Sequence, residues 1–517
     1  ERALAEQRAS DLVDLANRTL FDVHTAIAPL PGALAARRTI VKTTLDYLER
    51  LEHEGRRDER TQRALSDAYF KVGMIQGDPF NASLQDFDGA RQSLHKAEAL
   101  LAPLYRASPN DPDLMESWVE TETALAALAG QSNQRQPAVQ ALLKLLPIAH
   151  QLGVLRPGDS RAASLEASVY WQLADLTQGD DASQALDYCN REIALLRDLI
   201  ARFPRDASLK PDLGVALGMA AGVVMRQGDL DRAAELYRQS IHLREELIRA
   251  DPNDVSLQRS LMVVYGNYAA VLGIPWMPNL GKPEEAREAC TRAVAIARRL
   301  VSADAQNVTA RMDLGRSLTR LGSIDPPRGA VDESLASLRE AIAILEAART
   351  SSQKAFSTAG DLSVAREYAG RRLESLGRRV DAAQEYKEAL AIAEPFVSTG
   401  NSAIIVSILA NEEALALLYA SSSNRIAALD YANRAVTLAQ KQTSGTADNY
   451  RGRLAKALYV LATVQLKSND RTSAHETASK AAATWRLIEN RGILSMYRKE
   501  MQETGTLLNE TSRSVRR

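Results

Sequence analysis

Apolar side chains recur at every third and fourth position along this chain, in stretches of about twenty residues separated by short polar breaks. The clearest stretch lies between Gly228 and Asp254. Gly228 is placed to close one helix, because glycine tolerates the left-handed turn at a helix end. Asp229 and Asp231 are placed to cap the next. Ala233, Tyr237 and Ser240 follow at i, i+4 and i+7, on one helical face. Asp251-Pro252-Asn253-Asp254 then stops the helix and starts another. The small residues on that face predict a close approach by a neighbouring helix.

The same face returns along the chain. With Ala233 as anchor, the equivalent positions are Ala90, Ala138, Ala185, Ala286, Ser334, Ala382, Ala428 and Ala474, at spacings of 48, 47, 48, 53, 48, 48, 46 and 46 residues counted from Ala90. Pro109, Pro157, Pro204 and Pro252 each stand nineteen residues after an anchor, and Asp111, Asp159, Asp206 and Asp254 stand two further on. Four matches in phase are a repeat signal. The pattern resembles the tetratricopeptide repeat, with its small residues on the second helix and its closing proline. The units here exceed the usual length of about 34 residues, so each second helix gains about two turns. The expected fold is all-α: a right-handed solenoid of long helical hairpins. Residues 1–56 read as an N-terminal capping hairpin, with helices over 1–28 and about 33–54. Residues 57–490 read as nine hairpins, and 491–517 as a capping helix and tail.

Two connections are long, and they match. Gly77, Pro79, Leu84 and Ala90 keep the same offsets as Gly273, Pro275, Leu280 and Ala286. The helices before them match as well: Gln62-Arg63, Leu65 and Tyr69 align with Gln258-Arg259, Leu261 and Tyr265. An internal copy of this length marks the loop as a built feature, either a sealed connection or a projecting recognition loop. Phe80 in the first copy, and Trp276 and Met277 in the second, are its candidate contact residues, with Trp276 expected to expose much of its ring. On the first helices, Tyr69, Trp118, Tyr170, Trp171, Tyr265, Tyr268 and Tyr368 are candidate groove aromatics, with packing inside the stack as the alternative for each.

Composition narrows the function. The formal net charge of −1 offers no overall field to recruit nucleic acid, and none is expected as a partner. The longest apolar run, Gly214 to Met225, is too short to cross a bilayer. Cys189 and Cys290 hold the same small, inward repeat position and are expected buried, reduced and apart. The six histidines are scattered, with none at zinc-helix spacing, and Gly281-Lys282-Pro283 lacks the flanking residues of a phosphate loop. No catalytic residue, metal site or cofactor is expected. Some repeat proteins of this type grip a terminal carboxylate with a Lys and an Asn four apart on first helices. Positions fifteen and eleven before the anchors, such as Glu367 and Arg371, do not match that pair.

One region carries a narrower likeness. It runs from Arg8 through Asn17, Phe21, Asp22, His24, Ile27, Pro31 and Gly32, continues past Arg37 to Leu45, Tyr47 and Leu48, and resumes at Gln62-Arg63 through Tyr69 and Gly73 to Gly77, Asp78 and Pro79. These residues resemble the C-terminal repeat region of large bacterial membrane-anchored serine/threonine protein kinases. In that family a cytoplasmic kinase domain is followed by one transmembrane helix and then by this segment outside the cytoplasmic membrane. The resemblance is most specific over residues 8–90 and generic beyond. It implies a non-catalytic sensor or docking region on the periplasmic side, joined to the membrane only through a segment upstream. The kinase's own motifs are absent from these residues. The alternative is a soluble cytoplasmic scaffold or regulatory adaptor. In both cases the expected partner is a protein or peptide.

Overall fold

The computed structural model describes residues 34–515, apart from 54–57, 79–82, 85, 131–134, 306, 328, 352–354, 400, 423, 442–446 and 490. The helix expected over residues 1–28 lies outside the described residues. The chain divides into two compact units, 1–223 and 224–517. No β-strand occurs among the described residues.

In the first unit, α1 (Leu34–His53) packs on α2 (Glu59–Gly77). The hairpins α2/α3 (Phe87–Ala107), α4 (Pro112–Gly130)/α5 (Arg135–Leu155) and α6 (Ser160–Thr177)/α7 (Ala182–Arg202) follow in chain order, and α8 (Leu209–Gln227) runs past the division. The second unit contains α9 (Leu230–Ala250) and then α10 (Val255–Gly273)/α11 (Pro283–Ala303), α12 (Val308–Ser323)/α13 (Val331–Ser351) and α14 (Ala355–Ser375)/α15 (Arg379–Ala393). A 3-10 turn over Glu394–Thr399 leads to α16 (Ser402–Ser421)/α17 (Arg425–Lys441) and α18 (Ala447–Lys467)/α19 (Arg471–Trp485). The short α20 (Arg491–Met496) and α21 (Arg498–Val515) close the chain against α18, with α21 also on α19. First helices touch one another directly, α2 to α4 to α6 in the first unit and α12 to α14 to α16 to α18 in the second. This is a tetratricopeptide-like α-solenoid, as the anchor series implies.

The anchors explain the packing. All nine, from Ala90 to Ala474, are buried, and Ser334 satisfies its hydroxyl on Gly322 O at 2.7 Å. Four residues on, Leu94, Leu142, Cys189, Tyr237, Cys290, Leu338, Tyr386, Ala432 and Ala478 are buried as well. In several hairpins the larger of these enters a hole left by a first-helix glycine. A Cβ on Gly322 would stand 2.5 Å from Leu338 Cγ, and one on Gly370 2.5 Å from Tyr386 Cε1. Both cysteines are free and buried, and burial pushes the Cys290 thiol up to about 12.

The closing Pro-x-Asp reads out as a cap. Asp111, Asp159, Asp206 and Asp254 turn their carboxylates onto backbone N–H groups one turn into the next first helix or just before it, at Leu114, Ala162, Ser208 and Leu257. Asn307 does the same for Ala310 in the fifth unit, where the proline is missing. By length and composition alone, α5 and residues Ala403–Ser421 of α16 pass as membrane spans, which the twelve-residue apolar run did not reveal. Each is a hairpin partner, α5 against α4 and α6, and α16 against α14, α17 and α18.

One repeat position carries an ionisable side chain into this packing. Seven after the anchor, where other units carry Ala97, Ala293 or Ala389, the third carries Glu192, only 3% exposed. Burial, with Asp212 nearby, pushes its carboxyl up to about 9. The folded chain therefore keeps a proton that the unfolded chain loses near its ordinary pKa of about 4.3. The first unit should lose stability as pH rises from about 5 towards 9. Glu192→Gln should flatten that loss, its advantage over the native chain growing with pH in urea unfolding curves; parallel curves would refute the buried proton. A second expectation concerns the holes. Gly370→Ala should cost about 1–3 kcal/mol by overpacking against Tyr386. Gly505→Ala on α21, where a Cβ meets nothing within 4 Å, should be neutral or gain up to about 1 kcal/mol.

A candidate binding trough on the first helices of the second unit

The direct contacts among α12, α14, α16 and α18 leave their free faces side by side. Those faces line a cavity of about 640 Å³, within the range of ligand sites. In α14, α16 and α18 the lining residues keep constant distances from the anchors. Twenty-one residues before them stand Asp361, Ser407 and Arg453, and eighteen before them Val364, Ala410 and Lys456. Fifteen before stand Glu367 and Glu413. Steps of three keep these side chains on one helical face, turned away from the second helices.

Charge on this surface is dense and mostly compensated. Arg259 Nε meets Asp313 Oδ2 at 2.6 Å, and Arg316 Nε meets Asp361 Oδ2 at 2.6 Å, joining α10, α12 and α14 in a ladder. Arg371 holds Glu367 one turn away at 2.8 Å, and Lys456 on α18 reaches Glu413 on α16 at 2.9 Å. Burial pushes the Asp361 and Glu413 carboxyls up, against the opposing pull of Arg316 and Lys456. Arg320 differs. Its guanidinium makes no hydrogen bond or ion pair among the described residues, and burial lowers its pKa. It lies against Gly266 of α10, where a Cβ would overlap its Nη1.

Aromatic side chains stand at both ends. The long loop between α10 and α11 folds back on its own helix: Leu280 N donates to Val271 O at 2.8 Å and Lys282 N to Leu272 O at 2.8 Å. Asn279 Nδ2 donates to Ile274 O and Met277 O, and Gly281, at φ +69°, completes the turn. The first copy repeats the pairing, Leu84 N to Ile75 O at 3.0 Å and Asp86 N to Gln76 O at 2.9 Å. So fixed, the second loop carries Trp276 inward. Its ring is half-buried and lies 5.0 Å from that of Tyr368, rather than standing out as an exposed tip. Arg371 lies over the Tyr368 ring at 5.1 Å. At the other end Tyr497, packed 5.2 Å from Trp485 and over Gly452, joins Met496 and Glu500 in the lining.

Of the aromatics proposed from sequence, Trp276 and Tyr368 line this trough. Met277 is half-buried within the loop, its N–H on Ile274 O at 3.1 Å. Tyr265 is buried and bonded to the Glu245 carboxylate, with Arg292 donating to its hydroxyl at 3.1 Å, and Tyr268 is half-buried one turn on. In the first unit, Tyr69 is fully buried and donates to Glu52 at 3.0 Å, Trp118 stacks on Tyr105 at 5.3 Å, and Tyr170 and Trp171 lie half-buried on α6. Phe80 lies outside the described residues. The spacing of fifteen and eleven before an anchor reaches Glu367 and Arg371, and Glu413 at Ala428, but not Arg316, Arg320, Asp361 or Lys456. Extending the count to eighteen and twenty-one reaches Asp361 and Lys456, and Arg316 at eighteen before Ser334, whereas Arg320, fourteen before Ser334, falls outside both counts.

No protein-family model matches the chain, and no curated protein matches it by sequence. Solved helical-repeat structures are similar in part. A Rap protein complexed with competence and sporulation factor is 13% identical, over 76% of this chain and 99% of that one, at a TM-score of 0.38. Human IFIT1, solved as a dimer with PPP-AAAA, is 14% identical over 91% and 94%, at 0.39. PilW, a type IV pilus biogenesis factor, is 16% identical over 56% and 97%, at 0.31. Likeness at this level selects no ligand for the trough.

The Glu413–Lys456 pair gives a test of the trough's construction. Lys456→Met should cost about 3 kcal/mol, because it leaves a buried carboxylate without its partner. Adding Glu413→Gln should recover most of that loss in the same thermal or urea unfolding measurement. No recovery would mean that Lys456 contributes by packing alone.

Proposed function

We propose that this chain is a non-catalytic repeat module that binds a peptide or protein segment in the trough of its second unit. The observation that supports the reading best is the trough itself. Regular repeat positions in this unit are occupied by stacking, while the free faces of four first helices line one cavity between Trp276 and Tyr497. A mixed lining of aromatic rings and alternating charge suits a polypeptide, which brings both apolar and charged groups. It suits a phosphate backbone less, because a nucleic acid needs cations without competing carboxylates, and Asp361, Glu367 and Glu413 hold three of the cations here.

The module is further proposed to be the sensor or docking region of a bacterial membrane-anchored serine/threonine protein kinase, on the outer face of the cytoplasmic membrane. That reading rests on the resemblance of residues 8–90. It is tested by the gene upstream of Glu1, where a kinase domain followed by an apolar segment of about 20 residues is expected. A different upstream domain would remove the kinase from the proposal and leave the trough untouched.

Binding is tested with peptides selected from a random display library on the whole chain. Trp276→Ala should weaken a selected peptide by about 2 kcal/mol or more, roughly thirtyfold, with little change in melting temperature. Unchanged affinity alongside a large fall in melting temperature would make Trp276 a structural residue.

A further inference from the structure

The geometry points to a specific demand on that ligand: an acidic side chain, received by Arg320, next to an apolar side chain received by the Trp276 and Tyr368 rings. The inference rests on the peptide-binding reading above. Three cations of the lining are engaged by carboxylates of the chain, Arg316 by Asp361, Arg371 by Glu367 and Lys456 by Glu413. Arg320 is not so engaged among the described residues. Asp361, the lining carboxylate that influences it, is already bonded to Arg316.

A guanidinium in a cleft without a partner is unfavourable, since it loses hydration and gains no ion pair. The fold nevertheless keeps room for it. Gly266 on α10 leaves the space that Arg320 Nη1 fills, so an ordinary side chain there would displace the group. A planar guanidinium presents paired donors that match a carboxylate, and a ligand carboxylate would supply the missing partner. Pro275 and Trp276 border the same cavity, and the Trp276 ring, 5.0 Å from that of Tyr368, gives it an apolar wall; Tyr368 stands fourteen before its anchor, as Arg320 does, on the neighbouring first helix. Four first helices at about 8–10 Å spacing give a floor of about 25–30 Å, enough for about eight extended residues at roughly 3.3 Å each. The predicted occupant is therefore a short extended segment with an acidic residue adjacent to an apolar or aromatic one near one end of the trough.

The test uses the whole chain and a random sixteen-residue display library with both peptide ends inside the displayed protein, so that any carboxylate is a side chain. Selection on the native chain should enrich Asp or Glu at one position next to an apolar residue. Selection on Arg320→Gln should lose the acidic preference. For a synthesised selected peptide with blocked ends, replacing the acid by its amide should weaken binding to the native chain about tenfold or more. The same replacement should change binding to Arg320→Gln by less than about twofold. The peptide substitution needs no protein variant, so it decides the matter even if Arg320→Gln unfolds. Selected peptides that lose affinity with Trp276→Ala but show no acidic preference would overturn the anchor and leave the trough as a peptide site. Recovery of no peptide sensitive to Trp276→Ala would overturn both.

Discussion

Close helix approach at the anchor positions is what the rest of the structure depends on. A second helix can lie against its first helix only where Ala90, Ala185, Ala233 and their equivalents keep the side chain down to a methyl group or a hydroxymethyl. Packing of this kind is dense, and an added methylene is felt directly. The reciprocal contacts make the register specific. Tyr386 is too large for an all-alanine interface, so Gly370 gives up its side chain to receive it, and Gly322 does the same for Leu338. Once the second helices are held from one side, the first helices are brought against one another. The trough is the surface they have left.

That surface departs from the economy of the stack. A stack of alanines and leucines needs no charges, yet α12, α14, α16 and α18 carry acids and bases into a partly buried cleft. Replacing such pairs by apolar side chains of similar volume is often neutral or stabilising, so stability alone does not account for them. Their arrangement is more informative. Each carboxylate bridges to a cation one turn away or on the next first helix, which ties neighbouring repeats together at the cleft while leaving its overall charge small. A ligand entering it meets fixed dipoles rather than a strong field, and this favours discrimination between segments over bulk attraction.

Much of the fold was legible because repetition multiplies a weak signal. A single Ala-x3-Tyr-x2-Ser face is common, but nine anchors in phase fix the hairpins, and the Pro-x-Asp caps mark where first helices begin. The trough was less legible for a physical reason. Its residues share a place on the helix without sharing a chemistry. At the same distance before successive anchors stand Asp361, Ser407 and Arg453, which no pattern of residue type would group. Residue type alone groups Trp276 and Tyr368 with Trp118 and Tyr265, because a ring packed on a neighbouring side chain and a ring lining a cleft look alike in sequence. The closure by Tyr497 depends on how α20 and α21 return over α18, a tertiary placement with no local signature.

The two copies of the long loop show how such a site can be set without altering the frame. Both fold back through the same pair of backbone hydrogen bonds, Leu84 and Asp86 in one and Leu280 and Lys282 in the other. The conserved part of the loop is therefore the part that seals it, with Leu at the same offset in both. What lies between the proline and that leucine is free to differ. In the second copy, Asn279 ties the intervening turn to Ile274 O and Met277 O, and this fixes where Trp276 points. A rigid loop loses little conformational entropy when a ligand arrives. Its ring is held against Tyr368 before any ligand is present, so the apolar wall of the trough is built by the fold rather than by binding.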